Sequence, residues 1–373
     1  MPNQKLYQIG LTMVNGIGDV LGRQLLQTLG NAEAIFKEKA NALEKIPGIG
    51  RVLATEIKRS DVLKQAEKEL SFIEKNKITS YFILDDGYPF RLREFSDAPL
   101  LLYFKGSCDL NAKRIVSIVG TRKITEYGKD ACERLIAGLA EKLPDLLIAS
   151  GLAYGTDIAA HRNALKYQLP TLAVLAHGLD RIYPQIHRPT AVEMLENGGL
   201  LTDFPSETNP DKPNFVKRNR IIAGLADATI VIESADKGGS LITADIAFSY
   251  SRDVFAIPGR ITDTHSQGCN RIIRQNKAGL ITCAIDVISA MSWDIPVESH
   301  IRTPAQSVQT ELIFSENEEN NPILAILRKK EGMQINQLAV EMDIPVHKLS
   351  DMLFELEIGG LIKITPGNVY RII

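Results

Sequence analysis

Between residues 115 and 282, short uninterrupted apolar runs alternate with longer amphipathic stretches. The runs at 115–119, 146–149, 171–175, 200–201, 229–232, 254–257 and 280–282 are apolar almost throughout, the pattern of strands buried on both faces. Between them, 127–142, 156–166 and 241–251 have helical spacing. Such alternation predicts right-handed crossovers and an α/β fold with a Rossmann-like, mostly parallel sheet. Two earlier runs, 78–84 and 100–105, flank the turn-rich Asp85-Asp86-Gly87-Tyr88-Pro89 and add an edge to that sheet. Residues 1–76 read as helical, with Val14-Asn15-Gly16-Ile17-Gly18 and Ile46-Pro47-Gly48-Ile49-Gly50 as a repeat 32 residues apart. The repeat resembles paired helix-hairpin-helix (or SAM-like) motifs, whose glycine turns let backbone N–H groups approach a phosphate. It reads equally as a small helical domain with Gly turns, because only Arg23, Arg51 and Lys58 follow them.

Beyond Trp293 the pattern becomes polar, and 295–320 reads as a linker. Helices at 322–330, 336–341 and 346–358 and a strand pair within 362–372 then follow in winged-helix order. The expected domains are therefore 1–76, 77–294 and 321–373. The last carries six basic and six acidic residues, with Asp351, Glu355 and Glu357 on its third helix, which favours a protein-contact or structural role over duplex reading.

A hydrophobic share of 45% and a charged share of 24% describe a globular chain without a run long enough to span a membrane, and the start has no apolar signal region, so a cytoplasmic location is expected. Cys108, Cys132, Cys269 and Cys283 are scattered, which predicts reduced, mostly buried thiols and no metal site. The net charge of −2 means that any nucleic-acid site is local.

One stretch is locally basic. Lys212, Lys217, Arg218 and Arg220 surround Phe215, without an acid between Lys212 and Arg220. Cations draw phosphate and an aromatic offers a base a stacking face, although a solvated loop leading into a helix has the same composition. Unusual loops also fall where ligands bind in a parallel sheet, beyond the strand carboxyl ends. Gly120-Thr121-Arg122 follows the first central strand, a loop with Gly151 and Gly155 follows the second, and Gly238-Gly239-Ser240 follows the fifth. Glycines before a helix make anion nests. No P-loop or G-x-G-x-x-G is present, and no nucleophile stands with a base. Asp157 and His161, one turn apart, could be an acid–base pair but more simply orient a helix start. His177, Arg181, His187 and Arg188 read as a basic rim or as a plain loop.

Four ordered motifs resemble the DNA-processing protein A family, also called DprA or Smf. They are 150–161, Arg218-Asn219-Arg220 with its following Ile-Ile-Ala-Gly, 239–244, and 254–259 with Gly268-Cys269-Asn270. The resemblance implies a non-enzymatic, dimeric protein that needs no cofactor, binds single-stranded DNA, protects incoming strands and loads RecA during natural transformation. It implies phosphate contacts from Arg122 and Lys212, base stacking on Phe215, a pocket lined by Arg218, Asn219 and Arg220, and contributions from Lys217, Gly151, Gly155, Gly239 and Ser240. Val216-Lys217 departs from the Phe-Pro common in the family at this point. Two other readings stay open: a nucleotide-binding or nucleotide-hydrolysing Rossmann-like enzyme, and a duplex-binding regulator using the winged helix.

Overall fold

The computed structural model describes residues 2–293, 321–330, 332–358, 360–365 and 369–372. The linker expected over 295–320 and the turn of the terminal strand pair lie outside them. Two compact units divide the chain, one within 1–296 and one within 297–373.

The first unit is built on a nine-stranded sheet. Its strands are β1 (Thr79–Phe82), β2 (Leu101–Gly106), β3 (Ile115–Val119), β4 (Leu147–Ser150), β5 (Thr171–Val174), β6 (Gly198–Thr202), β7 (Ala228–Val231), β8 (Asp253–Ala256) and β9 (Gly279–Leu280), in the order β1-β2-β6-β5-β4-β3-β7-β8-β9. From β6 to β9 every neighbour is parallel, and β2 and β1 add the expected edge in antiparallel fashion. The parallel part starts in the middle at β3 and builds outward through β4, β5 and β6. It then crosses back to β7 on the other side of β3. That reversal puts the topological switch point between β3 and β7, where open α/β sheets bind ligands.

Both faces of the central strands are dry. Val116 and Ile118 pack with Leu135, Leu139 and Val287, from the helices Glu126–Lys142 and Ala284–Ala290. Ile115 and Val119 point the other way, toward the helices Lys212–Leu225 and Gly239–Ser249. Ser117 is the polar exception on that face, and its hydroxyl donates to the Ile222 carbonyl at 2.6 Å. The N-terminal helices belong to the same core: one apolar cluster runs from Ile9 and Leu25 through Leu100 and Leu102 to Ile115, Leu172 and Ile222.

The two repeated turns adopt the backbone that requires glycine, with φ of +82° at Gly16 and +81° at Gly48. The helix after the first turn, Asp19–Leu29, lies against the sheet domain so closely that a Cβ on Gly22 would stand 2.2 Å from Leu100. Asp19 accepts from the Leu100 N–H at 3.0 Å, and Arg23 donates to the carbonyls of Arg93 and Phe95. Charges at this hairpin therefore serve the chain's own packing.

The second unit has the winged-helix order. Helix Pro322–Lys330, β10 (Met333–Gln334), helices Ile335–Met342 and Val346–Ile358, β11 (Ile362–Thr365) and β12 (Val369–Ile372) close on a core of Ile323, Leu327, Leu338, Leu349 and Leu353. The short β10, absent from the sequence reading, pairs with β12 and makes the sheet β10-β12-β11.

Candidate nucleic-acid interface

A cavity of about 620 Å³ opens at the switch point. One wall is the loop after β3. The Thr121 N–H donates to the Glu233 carbonyl at 2.7 Å, and the Thr121 carbonyl accepts from the Thr156 N–H at 3.1 Å, so this loop is strung between β7 and the helix Thr156–Lys166. Gly155 allows that approach: its φ is +76°, and a Cβ there would meet the Thr121 carbonyl oxygen at 2.2 Å. Buried Glu233 accepts from the Thr125 N–H at 2.9 Å and its hydroxyl at 2.6 Å, fixing the far end of the loop. Arg122 is thus held out over the cavity, exposed and with no ion-pair partner among the described residues.

The opposite wall is the helix Gly239–Ser249. No side chain caps its start, so the first N–H groups, around Gly239 and Ser240 on the cavity wall, lie uncapped at the positive end of the helix dipole.

The third wall is the basic stretch itself, and here the structure corrects the sequence. Residues 212–225 are not a loop ahead of a helix but the crossover helix from β6 to β7, beginning at Lys212 with Pro213 in its first turn. At 3.6 residues per turn, Lys212, Phe215, Val216 and Asn219 share one face. All four line the cavity, and Lys212 is exposed and free of acidic partners among the described residues. Lys217 and Arg220 fall on another face. Lys217 Nζ lies 3.5 Å from the Asp203 carboxylate and over the Phe204 ring. Arg220 is buried and does not line the pocket: its guanidinium pairs with Asp19 and Asp203, each at 2.9 Å, and donates to the Asp97 carbonyl. Burial opposes its charge, but the facing carboxylates of Asp203 and Asp19 outweigh it, so its pKa is raised.

Arg218 takes a third position. It is buried under the cavity, where Nη1 donates to the carbonyls of Gly151, at 2.9 Å, and Val174. Burial, and to a lesser extent Arg122, pushes its pKa down to about 10, so it is charged at neutral pH. Gly151 serves as the seat for this guanidinium, since a Cβ there would stand 2.2 Å from Nη1. Gly151 and Gly155 therefore shape the walls from behind. The Phe215 ring lies beside two of these cations, 5.1 Å from the Arg122 guanidinium and 5.9 Å from that of Arg218.

Comparison with known proteins bears on this arrangement. The model of the family "DNA recombination-mediator protein A" matches residues 79–292, and that of the DprA winged helix domain matches 304–368. The chain belongs to this family. It is 42% identical to the DNA processing protein DprA of Streptococcus pneumoniae over 59% of this chain and 77% of that protein. Protein Smf of Escherichia coli is 32% identical over 83% of this chain and 84% of its own length. The X-ray structure of the S. pneumoniae protein superposes with a TM-score of 0.66 at 35% identity, covering 77% of this chain and 97% of that one. DNA processing protein A from Helicobacter pylori, whose structure is described in terms of its single-stranded DNA binding mode, gives 0.53 at 29% identity over 58% of this chain and 97% of that one.

In this member of the DprA/Smf family, most of the remaining sequence candidates are tied into the protein itself. His161 is fully buried. Thr171 Oγ1 donates to the Ile148 carbonyl at 3.0 Å and so accepts from His161 Nδ1 at 2.7 Å, which leaves a neutral ring with its Nε2 unpartnered. Burial depresses its pKa to about 3. Asp157 does reach the cavity, but it accepts from the Ala153 N–H at 3.3 Å at a helix start, and burial raises its pKa although Arg218 opposes this. Of the basic residues in that loop, His177 and His187 are buried and Arg181 is paired with Asp180 and Asn209, which leaves Arg188 exposed. What that loop does bring to the cavity is Tyr183. Sequence reading missed it because the motif's cations, not its aromatic, drew attention. Among the described residues no helix is long and apolar enough to cross a membrane and no group of side chains could hold a metal ion. Cys132 and Cys269 are buried and free, whereas Cys283 is exposed.

Proposed function

We propose that this chain binds single-stranded DNA in the switch-point cavity and acts as a recombination mediator, protecting incoming strands and loading RecA during natural transformation. One observation carries the reading: the Phe215 ring stands in a cavity whose exposed cations, Arg122 and Lys212, have no acidic partner among the described residues. Unneutralised cations attract phosphate whatever the sequence, and an aromatic face holds an unstacked base. In this reading a backbone phosphate sits between Arg122, Lys212 and the Gly239–Ser240 N–H groups, a base lies on Phe215, and Asn219 offers its amide to the nucleotide. Arg218 adds positive charge from below while holding the helix. No covalent step or cofactor is called for. The H. pylori relative supports the choice of ligand. A homodimer and a RecA contact rest on the family alone.

Filter binding of labelled oligonucleotides tests the site. Single strands should bind in preference to duplex, and Arg122→Ala and Lys212→Ala should each weaken binding and lower the salt slope by about 0.7. Unchanged affinity in these two variants and in Phe215→Ala would remove the cavity from consideration. Sedimentation equilibrium tests the homodimer, and RecA filament assembly on strands precoated with this chain tests loading.

A further inference from the structure

Phe215 is not the sole aromatic wall of the cavity. Tyr183 lines it as well, half-exposed, its ring centroid 6.1 Å from that of Phe215 and its plane inclined at 61°. Two tyrosines of the framework use their hydroxyls. Tyr88 is buried and donates to the Pro99 carbonyl, and Tyr127, as exposed as Tyr183, donates to the Pro258 carbonyl at 2.6 Å. The Tyr183 hydroxyl has no hydrogen-bond partner among the described residues, and half its ring faces open space. Its backbone, by contrast, is fixed. The Tyr183 N–H donates to Nε2 of buried His177 at 3.2 Å. The same loop is tied to the segment that feeds the Lys212 helix: Arg181 donates to the Asn209 side chain at 2.7 Å, and the Asp180 carboxylate accepts from the Glu207 N–H at 3.0 Å. An aromatic with a rigid backbone and an unused face, beside free cations, fits a stacking platform better than a packing residue.

We propose that Tyr183 stacks the base adjacent to the one on Phe215, so that the cavity grips two successive nucleotides and the strand bends between them. This rests on the single-strand reading above. Two rings inclined at 61° cannot hold bases that stay stacked on each other. The site would therefore select strands whose neighbouring bases part easily, and would exclude a duplex on geometric grounds.

The test uses the full chain with short oligo(dT), a weak self-stacker, and oligo(dA), a strong one. Tyr183→Ala should weaken oligo(dT) binding about 5- to 150-fold, the range of one base–aromatic stack. It should leave the melting temperature unchanged and shrink the preference for oligo(dT) over oligo(dA), while Tyr183→Phe restores the affinity that alanine loses. A reporter for the contact itself is Tyr183→Trp in a Trp293→Phe background, since Trp293 is the chain's one tryptophan; its emission should be quenched at saturating oligo(dT). Wild-type affinity in Tyr183→Ala beside a weakened Phe215→Ala overturns this inference and leaves the binding reading standing. Wild-type affinity in both overturns the two together. Equal losses on oligo(dT) and oligo(dA), no rescue by phenylalanine, or no quenching by a strand that still binds would make Tyr183 a framework residue instead.

Discussion

Lys212 and Arg218 lie six residues apart on one helix, yet their charges meet different surroundings. Lys212 is solvated and unpaired, so its removal should leave stability unchanged, weaken oligonucleotide binding and lower the salt slope. Arg218 is desolvated and holds two carbonyls at the ends of β4 and β5. Arg218→Ala leaves those acceptors buried, and a loss of roughly 2–5 kcal/mol is expected in denaturant unfolding; a stability within 0.5 kcal/mol of wild type would refute that assignment. His161 supplies a pH test. Its folded pKa of about 3 lies below its unfolded value, so the folded state binds fewer protons between the two. The stability it contributes is present above the unfolded pKa and is lost as pH falls toward 3. Unfolding at pH 7 and pH 5 should differ by about 2 kcal/mol from this ring, a difference that His161→Gln should abolish.

At the scale of elements, the crossover helix shows why a run of cations is not a surface. Helical periodicity turns Lys212, Phe215, Val216 and Asn219 toward the cavity and Lys217 and Arg220 away from it. Arg220 then joins Asp19, from the first helical hairpin, to Asp203 at the end of β6. Its loss would leave Asp203 buried without its closest cation, and Arg220→Ala should lower stability by roughly 3–5 kcal/mol. Because Arg220 reaches no phosphate in this arrangement, binding measured where the variant is folded should keep the wild-type salt slope. A reduced slope would return Arg220 to the DNA site. The Val216-Lys217 departure from the family pattern also has a local account: Val216 adds an apolar wall to the cavity, and Lys217 places a second cation beside the Asp203 carboxylate.

For the molecule as a whole, the apolar cluster that joins the N-terminal helices to the sheet has the largest consequence. Leu25 and Ile35 share it with Leu100, Leu102, Ile115 and Ile222. A fragment of residues 77–293 would expose this face, whereas 1–293 would keep it covered. The longer fragment should melt in one cooperative transition and the shorter one should aggregate or lose its near-UV signal; a soluble, cooperatively melting 77–293 would show that the helices are dispensable. The acidic third helix of the second unit, with exposed Asp351 and Glu357, leads to a further expectation. Removing residues 297–373 should leave the preference for single strands over duplex unchanged in a gel shift.

The strands could be read from the sequence because each buried strand must be apolar along most of its length, and period and length are local properties. The glycine loops at 120, 155 and 239 could be placed at strand ends for the same reason. Arg122, Lys212 and Phe215 followed from composition together with that placement. Which member of the basic run stayed free did not follow. That was decided by Asp19, about two hundred residues earlier in the chain, by Asp203 at the end of β6, and by the carbonyls of Gly151 and Val174, brought to one helix only by the order of strands. Sequence alone determined how many cations the helix carries. Tertiary structure determined which ones face water, because a charge is neutralised by whatever the fold sets within a few ångströms of it.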